Sequence, residues 1–579
     1  MKKLLAVCLV VLCMNVSTMA KQKTVTIRVI ETSDVHGCFF PYDFINRQPK
    51  EGTLARVSTY VNKLRKQYGD NVILLDNGDI LQGQPTCYFY NYVKTDEPNI
   101  AAQIINYMKY DAQTFGNHDV ETGHPVYDRW VKDVNCPMLG ANIVDVKTGQ
   151  PYVTPYVILE KEGIRIAVLG MLTPAIPSWL QPELWSGLQF DEMVGSCRYW
   201  VDYIQKNERP DVIIGLFHAG RNGGIKTETY EEDPSERIAR EVPGFDIIMY
   251  GHDHTAYAGW VKNHVGDSVL LLDPGCHALN VSDATIEITK KGRKTIEKKI
   301  IGKNVNITKE SPDEAFMAHF HQAIDDVNGF INRKIGSFEK TITTRDCFFG
   351  PSAFTDFIHQ LQLQLTGADI SFNAPLQFNA TIKKGDVYVS DMFNLYKFEN
   401  KLYVMRMTGE EIRKHLEMSY DLWVNTMKSP DDHIMLLNSR TRKDQQRQGF
   451  KNFTFNFDSA AGIEYEVDVT KPNGQKVRIL RMTNGLPFEE QKWYRVVMNS
   501  YRGNGGGELL TRGAGIPHEQ LRNRLAYESE LDLRHYLMKE IEKAGTMNPK
   551  PNNNWRFVPE SWTVPALKRD RMLIFGDEE

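Results

Sequence analysis

A two-domain α/β fold is what the sequence predicts, on three observations. The chain has 579 residues, more than one hydrophobic core ordinarily covers. Its first half alternates short apolar runs with amphipathic stretches at helical spacing. A charged, turn-poor stretch at 311–333 then separates that half from a second with an alternation of its own.

In chain order, the N-terminus reads as a leader. Lys2 and Lys3 precede an apolar run over 4–14, and small residues lead to Ala20, after which cleavage is expected. The run is shorter than the roughly 20 residues that span a bilayer, and no later segment is apolar enough to do so. An exported protein is therefore expected over a membrane-anchored one, with the periplasm as destination and the cell surface as the alternative. Strands are expected at 24–32, 72–75, 112–115, 164–170, 212–217, 247–250 and 269–272, with helices between them at 54–68 and 99–108. The first domain is expected over 21–305, a linker helix with a Ser311-Pro312 cap over 306–334, and a second domain over 335–560. Within the second domain, Pro-Asn-Gly at 472–474 reads as a hairpin turn. Residues 561–579, like 552–554 before them, read as a loosely held tail.

Composition narrows the partners. With 41% hydrophobic and 25% charged residues the protein is an ordinary globular one. Its net charge is −4, and no long basic run is present. That argues against a nucleic-acid polymer, whose phosphates need clustered Lys and Arg. A small anionic substrate stays open, because a local metal site outweighs net charge. Of eight cysteines, Cys8 and Cys13 belong to the leader. The other six have no CxxC spacing and form no disulfide framework; they are expected mostly as small buried fillers.

The residues that carry chemistry sit just past the strands. The first strand runs into Asp34-Val35-His36, the second into Asn77-Gly78-Asp79 and the third into Gly116-Asn117-His118-Asp119. Two more end at His218 and at Gly251-His252-Asp253-His254. Five strand ends thus deliver ligand-type residues to the carboxyl edge, where open α/β sheets place their sites. One such histidine is usually a satisfied core or surface residue; five such events in order point to a metal centre. Imidazole and carboxylate together suit Zn, Mn, Fe or Co, and a shared carboxylate holds two ions roughly 3.5–4 Å apart. No Walker A loop or GxSxG competes for the role.

This set, DVH, NGD, GNHD, H and GHDH, resembles the calcineurin-like metallophosphoesterases, and its order resembles the 5'-nucleotidase family within them. The resemblance implies a four-layer α-β-β-α sandwich followed by an α+β nucleotide-binding domain. It implies two divalent ions (Zn, Mn, Co, Fe or Mg), one on Asp34, His36 and His254, the other on Asn117, His218 and His252, with Asp79 on both. His118 matches the family residue that stabilises the transition state or protonates the leaving oxygen. Its usual acidic partner three positions on is Asp; here it is Glu121, and Asp119 is the alternative.

The segments at 370–375, 395–400 (LYKFEN) and 501–507 (YRGNGGG) resemble the family's nucleotide-binding domain. There two aromatic rings sandwich the base, matching Phe398 and Tyr501, and Asn400 matches a polar contact to it. The 373–379 run lacks the Arg expected of a 5'-nucleotidase, and Gly507 stands where that branch carries Asp. Both departures resemble the bacterial 2',3'-cyclic-nucleotide 2'-phosphodiesterase/3'-nucleotidases. The expected substrate is therefore a nucleotide of that kind. The alternatives are a 5'-nucleotidase or nucleotide-sugar hydrolase, or a nucleotide-binding protein with a relict site.

Overall fold

The structure is a computed structural model that describes residues 22–292, 294–438 and 449–576. The leader expected over 1–20 lies outside them. Two six-stranded sheets build the first domain. One runs in the order Lys294–Asn306, Asn280–Lys291, Gln22–Thr32, Val72–Asp76, Ala112–Thr114, Met138–Leu139. The other runs Tyr257–Lys262, Ser268–Asp273, Ile247–Tyr250, Val212–His218, Ile164–Leu172, Tyr156–Lys161. The strands that lead into the expected ligands are paired in parallel, so their carboxyl ends share one edge.

Side-chain alternation makes four layers of this. Ile73 and Leu75 face the opposing sheet, with Val168, Leu216 and Met249 across from them. Leu74, one residue out of step, faces the helices Leu54–Tyr68 and Ile100–Met108. Leu169, Phe217 and Ile248 likewise face Met193–Asn207 and Ser235–Glu241. Strands this apolar on both faces are what a sheet covered on both sides requires. The helix at 54–68 falls on the expected residues, and the expected strands are met within two residues at each end.

The linker departs from the single expected helix. The last hairpin strand runs to Asn306, and two helices come after it, Glu314–His319 and His321–Ile331, broken at Phe320. Asp313, not Ser311, caps the first, its carboxylate accepting from Ala315 and Phe316 N–H. Phe316, Phe320, Val327 and Ile331 are buried in the first domain's core, so the linker is packed rather than bridging solvent.

The second domain centres on a five-stranded sheet in the order Ser459–Ala461, Ile370–Asn373, Trp493–Asn499, Lys401–Thr408, Leu525–Asp532. Beside it a smaller sheet pairs Ile463–Asp468 with Val477–Met482 through the 472–474 turn, where Gly474 takes φ 80°. The expected loose tail is instead the helix Glu560–Phe575. Ala566 is fully buried in the domain core, and Trp562, Leu567, Ile574 and Phe575 pack against it. Asp570, also fully buried, accepts from Met435 N–H at 2.9 Å and His433 Nδ1 at 2.5 Å. Asn554, in the stretch expected to be loose, donates to Ala460 and Ile463 carbonyls at 2.8 and 2.7 Å. All six described cysteines are free. No described helix is long and apolar enough to cross a membrane.

Candidate metal centre

Tight turns at the sheet edge set the ligand-type residues. Asp34, His36, Asp79, His252 and His254 all adopt left-handed backbone, with φ between 49° and 77°. Strain of this kind, of order 1–3 kcal/mol per residue, persists where the surroundings over-determine it. Here Asp34 N–H donates to Gly78 O at 3.0 Å and His36 N–H to Asp79 O at 2.9 Å. The Asp119 carboxylate gathers the N–H groups of Asp79, Ile80, Leu81 and Gly116 at 2.8–3.0 Å, tying the NGD turn to the GNHD turn. Gly116 is required there: a Cβ would fall 2.0 Å from Asp79 Oδ1.

The side chains converge in two overlapping groups. His36 Nε2 and His254 Nε2 lie 3.0 Å apart, with Asp34 Oδ1 3.3 Å from the latter. Around the other group, His218 Nε2 is 3.2 Å from Asn117 Oδ1, which is 2.8 Å from His252 Nδ1. Asp79 Oδ2 lies between them, 3.8 Å from His36 Nε2 and 3.4 Å from His218 Nε2. Backbone carbonyls fix two tautomers. His36 Nδ1 is 3.1 Å from Gln82 O, and His218 Nδ1 is 2.6 Å from Asn77 O, so both Nε2 lone pairs point inward.

These residues fit divalent cations. Asp34 Oδ1 is buried without a hydrogen bond, and the His36 and His254 Nε2 atoms converge beside it, 3.0 Å apart. Ligand atoms of Asp34, His36, Asp79 and His254 all fall within 4.8 Å of one another. Electrostatics agree. Burial opposes charging His218, yet the Asp79 and Asp34 carboxylates raise it to about 9, while burial takes His36 down to about 3. The two carboxylates thus favour positive charge at His218.

At its rim, His118 N–H donates to Asp79 Oδ1 at 2.8 Å and its Nδ1 meets Glu121 Oε2 at 2.7 Å. Asp119, the alternative acid, is committed to the four backbone donors. From the second domain, the Phe398 ring lies parallel to the His118 ring, 4° between planes and 6.2 Å between centroids. Tyr501 is half-buried, edge-on to Phe455 at 6.3 Å and packed over Gly506, where a Cβ would touch its ring at 2.5 Å. Asn400 is buried, and its carbonyl accepts from Leu533 N–H at 2.8 Å.

Known proteins share both halves. Residues 27–256 match the calcineurin-like phosphoesterase family, and residues 333–512 match the 5'-nucleotidase C-terminal domain. The chain thus carries a calcineurin-like phosphoesterase domain followed by a 5'-nucleotidase C-terminal domain. It is a metal-dependent nucleotide phosphoesterase. A 2',3'-cyclic-nucleotide 2'-phosphodiesterase/3'-nucleotidase of Haemophilus influenzae is 25% identical, over 94% of this chain and 89% of that protein. A trifunctional nucleotide phosphoesterase of Bacillus subtilis is 26% identical over 93% of this chain, which spans only 39% of that protein's length. Among solved structures, a 5'-nucleotidase homologue from Staphylococcus aureus superposes with a TM-score of 0.76 at 21% identity, covering 92% of this chain and 99% of its own.

Several residues at this phosphoesterase centre are not legible from strand-end spacing. Glu232 and Asp233 stand beside His252 from an irregular loop. His277 lies edge-on to His36 at 5.7 Å, and its Nδ1 is 3.5 Å from Cys276 Sγ. Lys397 places its ammonium 5.2 Å over the Phe398 ring, and burial lowers its pKa. Only Lys397 carries a sequence signal, its place inside the LYKFEN segment.

Proposed function

We propose that this enzyme is an exported two-ion phosphohydrolase that opens 2',3'-cyclic nucleotides and then removes the 3'-phosphate. The observation that carries the reading is the parallel stack of Phe398 on His118, which sets an aromatic platform of the second domain against the metal-side histidine. The name and near-complete coverage of the Haemophilus relative support the choice of substrate.

Asp34, His36 and His254 would hold one cation, Asn117, His218 and His252 the other, and Asp79 both. When bound, such ions neutralise phosphoryl oxygens and supply a nucleophilic water for in-line attack. The chain's own part is positional and protonic. Glu121 accepts from His118 Nδ1–H, which orients the ring. The protonated Nε2 gives its proton to the leaving ribose oxygen: first O2', as water adds to phosphorus and the P–O2' bond breaks, then O3' in a second hydrolysis. Phe398 and Tyr501 hold the base by stacking, which tolerates any base because each offers a π face.

Side-by-side turnover of 2',3'-cyclic AMP, 3'-AMP and 5'-AMP tests this. The first two should be hydrolysed and chelation should stop both. Turnover confined to 5'-AMP would replace the substrate assignment with a 5'-nucleotidase, and binding without turnover would make the site a relict. The mature exported protein should begin at Lys21 on N-terminal sequencing.

A further inference from the structure

His252 is held from both ends. Its Nδ1 lies 2.8 Å from Asn117 Oδ1, inside the ligand cluster, while its Nε2 lies 3.0 Å from Glu232 Oε1. Glu232 is itself anchored. Its Oε2 accepts from Ile225 N–H at 2.6 Å, its own N–H donates to Ile225 O at 2.8 Å, and its carbonyl accepts from Thr173 Oγ1 at 2.9 Å. Gly224, at φ 64°, leaves room for that carboxylate; a Cβ there would fall 2.5 Å from Oε2. Asp233 spends Oδ1 on Gly220 N–H at 2.8 Å and stands 3.8 Å from His252 Nε2. Trp179 covers the ring at 5.6 Å.

We propose that Glu232 is a positioning residue that fixes His252 in the Nε2–H tautomer and so turns the Nδ1 lone pair toward the cation shared with Asn117 and His218. The argument is one of valence. An ionised carboxylate only accepts, and neutral imidazole has a single N–H. If Glu232 takes that N–H, the lone pair is left on Nδ1, the atom that faces Asn117. A carboxylate behind a ligand histidine also raises the ring's basicity and locks its orientation. The inference rests on the two-ion reading above. A different use of the same groups is direct ligation by Glu232, Asp233 and His252 Nε2, whose ligand atoms lie within 4.8 Å of one another.

Calorimetric titration of the metal-free enzyme with Mn²⁺ distinguishes these. Wild type should bind two ions. Glu232→Ala should weaken one binding step about 10–100-fold, the range for such partners, and leave the other within about twofold of wild type. Glu232→Gln, which keeps an accepting oxygen and the shape of the loop, should fall between the two. Wild-type affinity at both steps in Glu232→Ala would overturn the proposal. So would complete loss of one step in Glu232→Gln and in Asp233→Asn alike, because both residues would then be ligands. Fewer than two Mn²⁺ on wild type would overturn the two-ion reading, and this assignment with it.

Discussion

His118 is where the candidate metal cluster and the second domain meet at the scale of single residues. Its backbone is tied to Asp79, its Nδ1 to Glu121, and its ring face lies against Phe398. A group so placed can donate to a leaving oxygen without being a ligand. His118→Ala should therefore lower kcat by about 10²–10⁴-fold, as loss of a general acid does, with metal content unchanged. A nitrophenyl ester, whose leaving group needs no proton, should lose less than a nucleotide; equal losses would assign His118 to electrostatic stabilisation. Asp79 has the opposite signature. Because its carboxylate lies between both ligand groups, Asp79→Ala should lose bound metal and nearly all activity together, measured by metal analysis alongside turnover. These residues are legible in the sequence because each comes after an apolar run that must end at the sheet edge. The choice between Glu121 and Asp119 is not legible there, since both are acids within reach. It is decided by backbone donors that only the folded turns bring to Asp119. Glu232 is invisible for a related reason: its loop has no period, and its partner lies 20 residues away.

Among elements, the glycine loop and the 454–458 segment behave as one unit. Arg502 is buried, gripping Asp458 through Nε and Nη2 at 2.9 and 3.0 Å and the Phe455 carbonyl at 2.8 Å. His415, stacked on Phe372 at 4.1 Å between ring centroids, meets the same carboxylate at 2.8 Å. Tyr501 precedes Arg502, so the clamp also holds the proposed base platform. Arg502→Met leaves a buried carboxylate without its partner, and urea unfolding should show a loss of roughly 3–5 kcal/mol. Burial pushes Asp458 upward, but Arg502 and His415 outweigh it and hold the carboxyl below its ordinary value. A depressed folded pKa stabilises above the unfolded value, near 3.9, and that share is lost as pH falls through the folded one. The wild-type advantage over Arg502→Met should therefore shrink in acid. The 501–507 loop stands out in the sequence, but its union with 454–458 does not, because 44 residues separate Arg502 from Asp458. The C-terminal helix escapes a sequence reading for a similar reason. Its charged residues dominate the pattern, while burial rests on Ala566, Asp570 and a few part-buried apolar side chains.

At the scale of the whole molecule, the two domains meet across the proposed site through polar contacts as well as rings. Glu399 accepts from Gln82 Nε2 at 2.7 Å and from Arg534 Nη1 at 2.6 Å, while Tyr403 OH donates to Gln181 Oε1 at 2.8 Å. On the proposed reading one domain supplies chemistry and the other nucleoside affinity, so the two should separate by mutation. Phe398→Ala and Tyr501→Ala should each weaken nucleotide use, read as kcat/KM, by about 1–3 kcal/mol, the magnitude of base–aromatic stacking. Neither should alter turnover of a small phosphodiester without a base, because that substrate reaches the cations without being stacked. Phe398 is the sterner test, since its ring also faces His118. If Phe398→Ala depresses the baseless substrate too while Tyr501→Ala does not, Phe398 acts by holding the histidine, and base recognition passes to Tyr501 and its neighbour Phe455. If both variants lose both substrates equally, the rings are core residues of the second domain and the base is bound elsewhere.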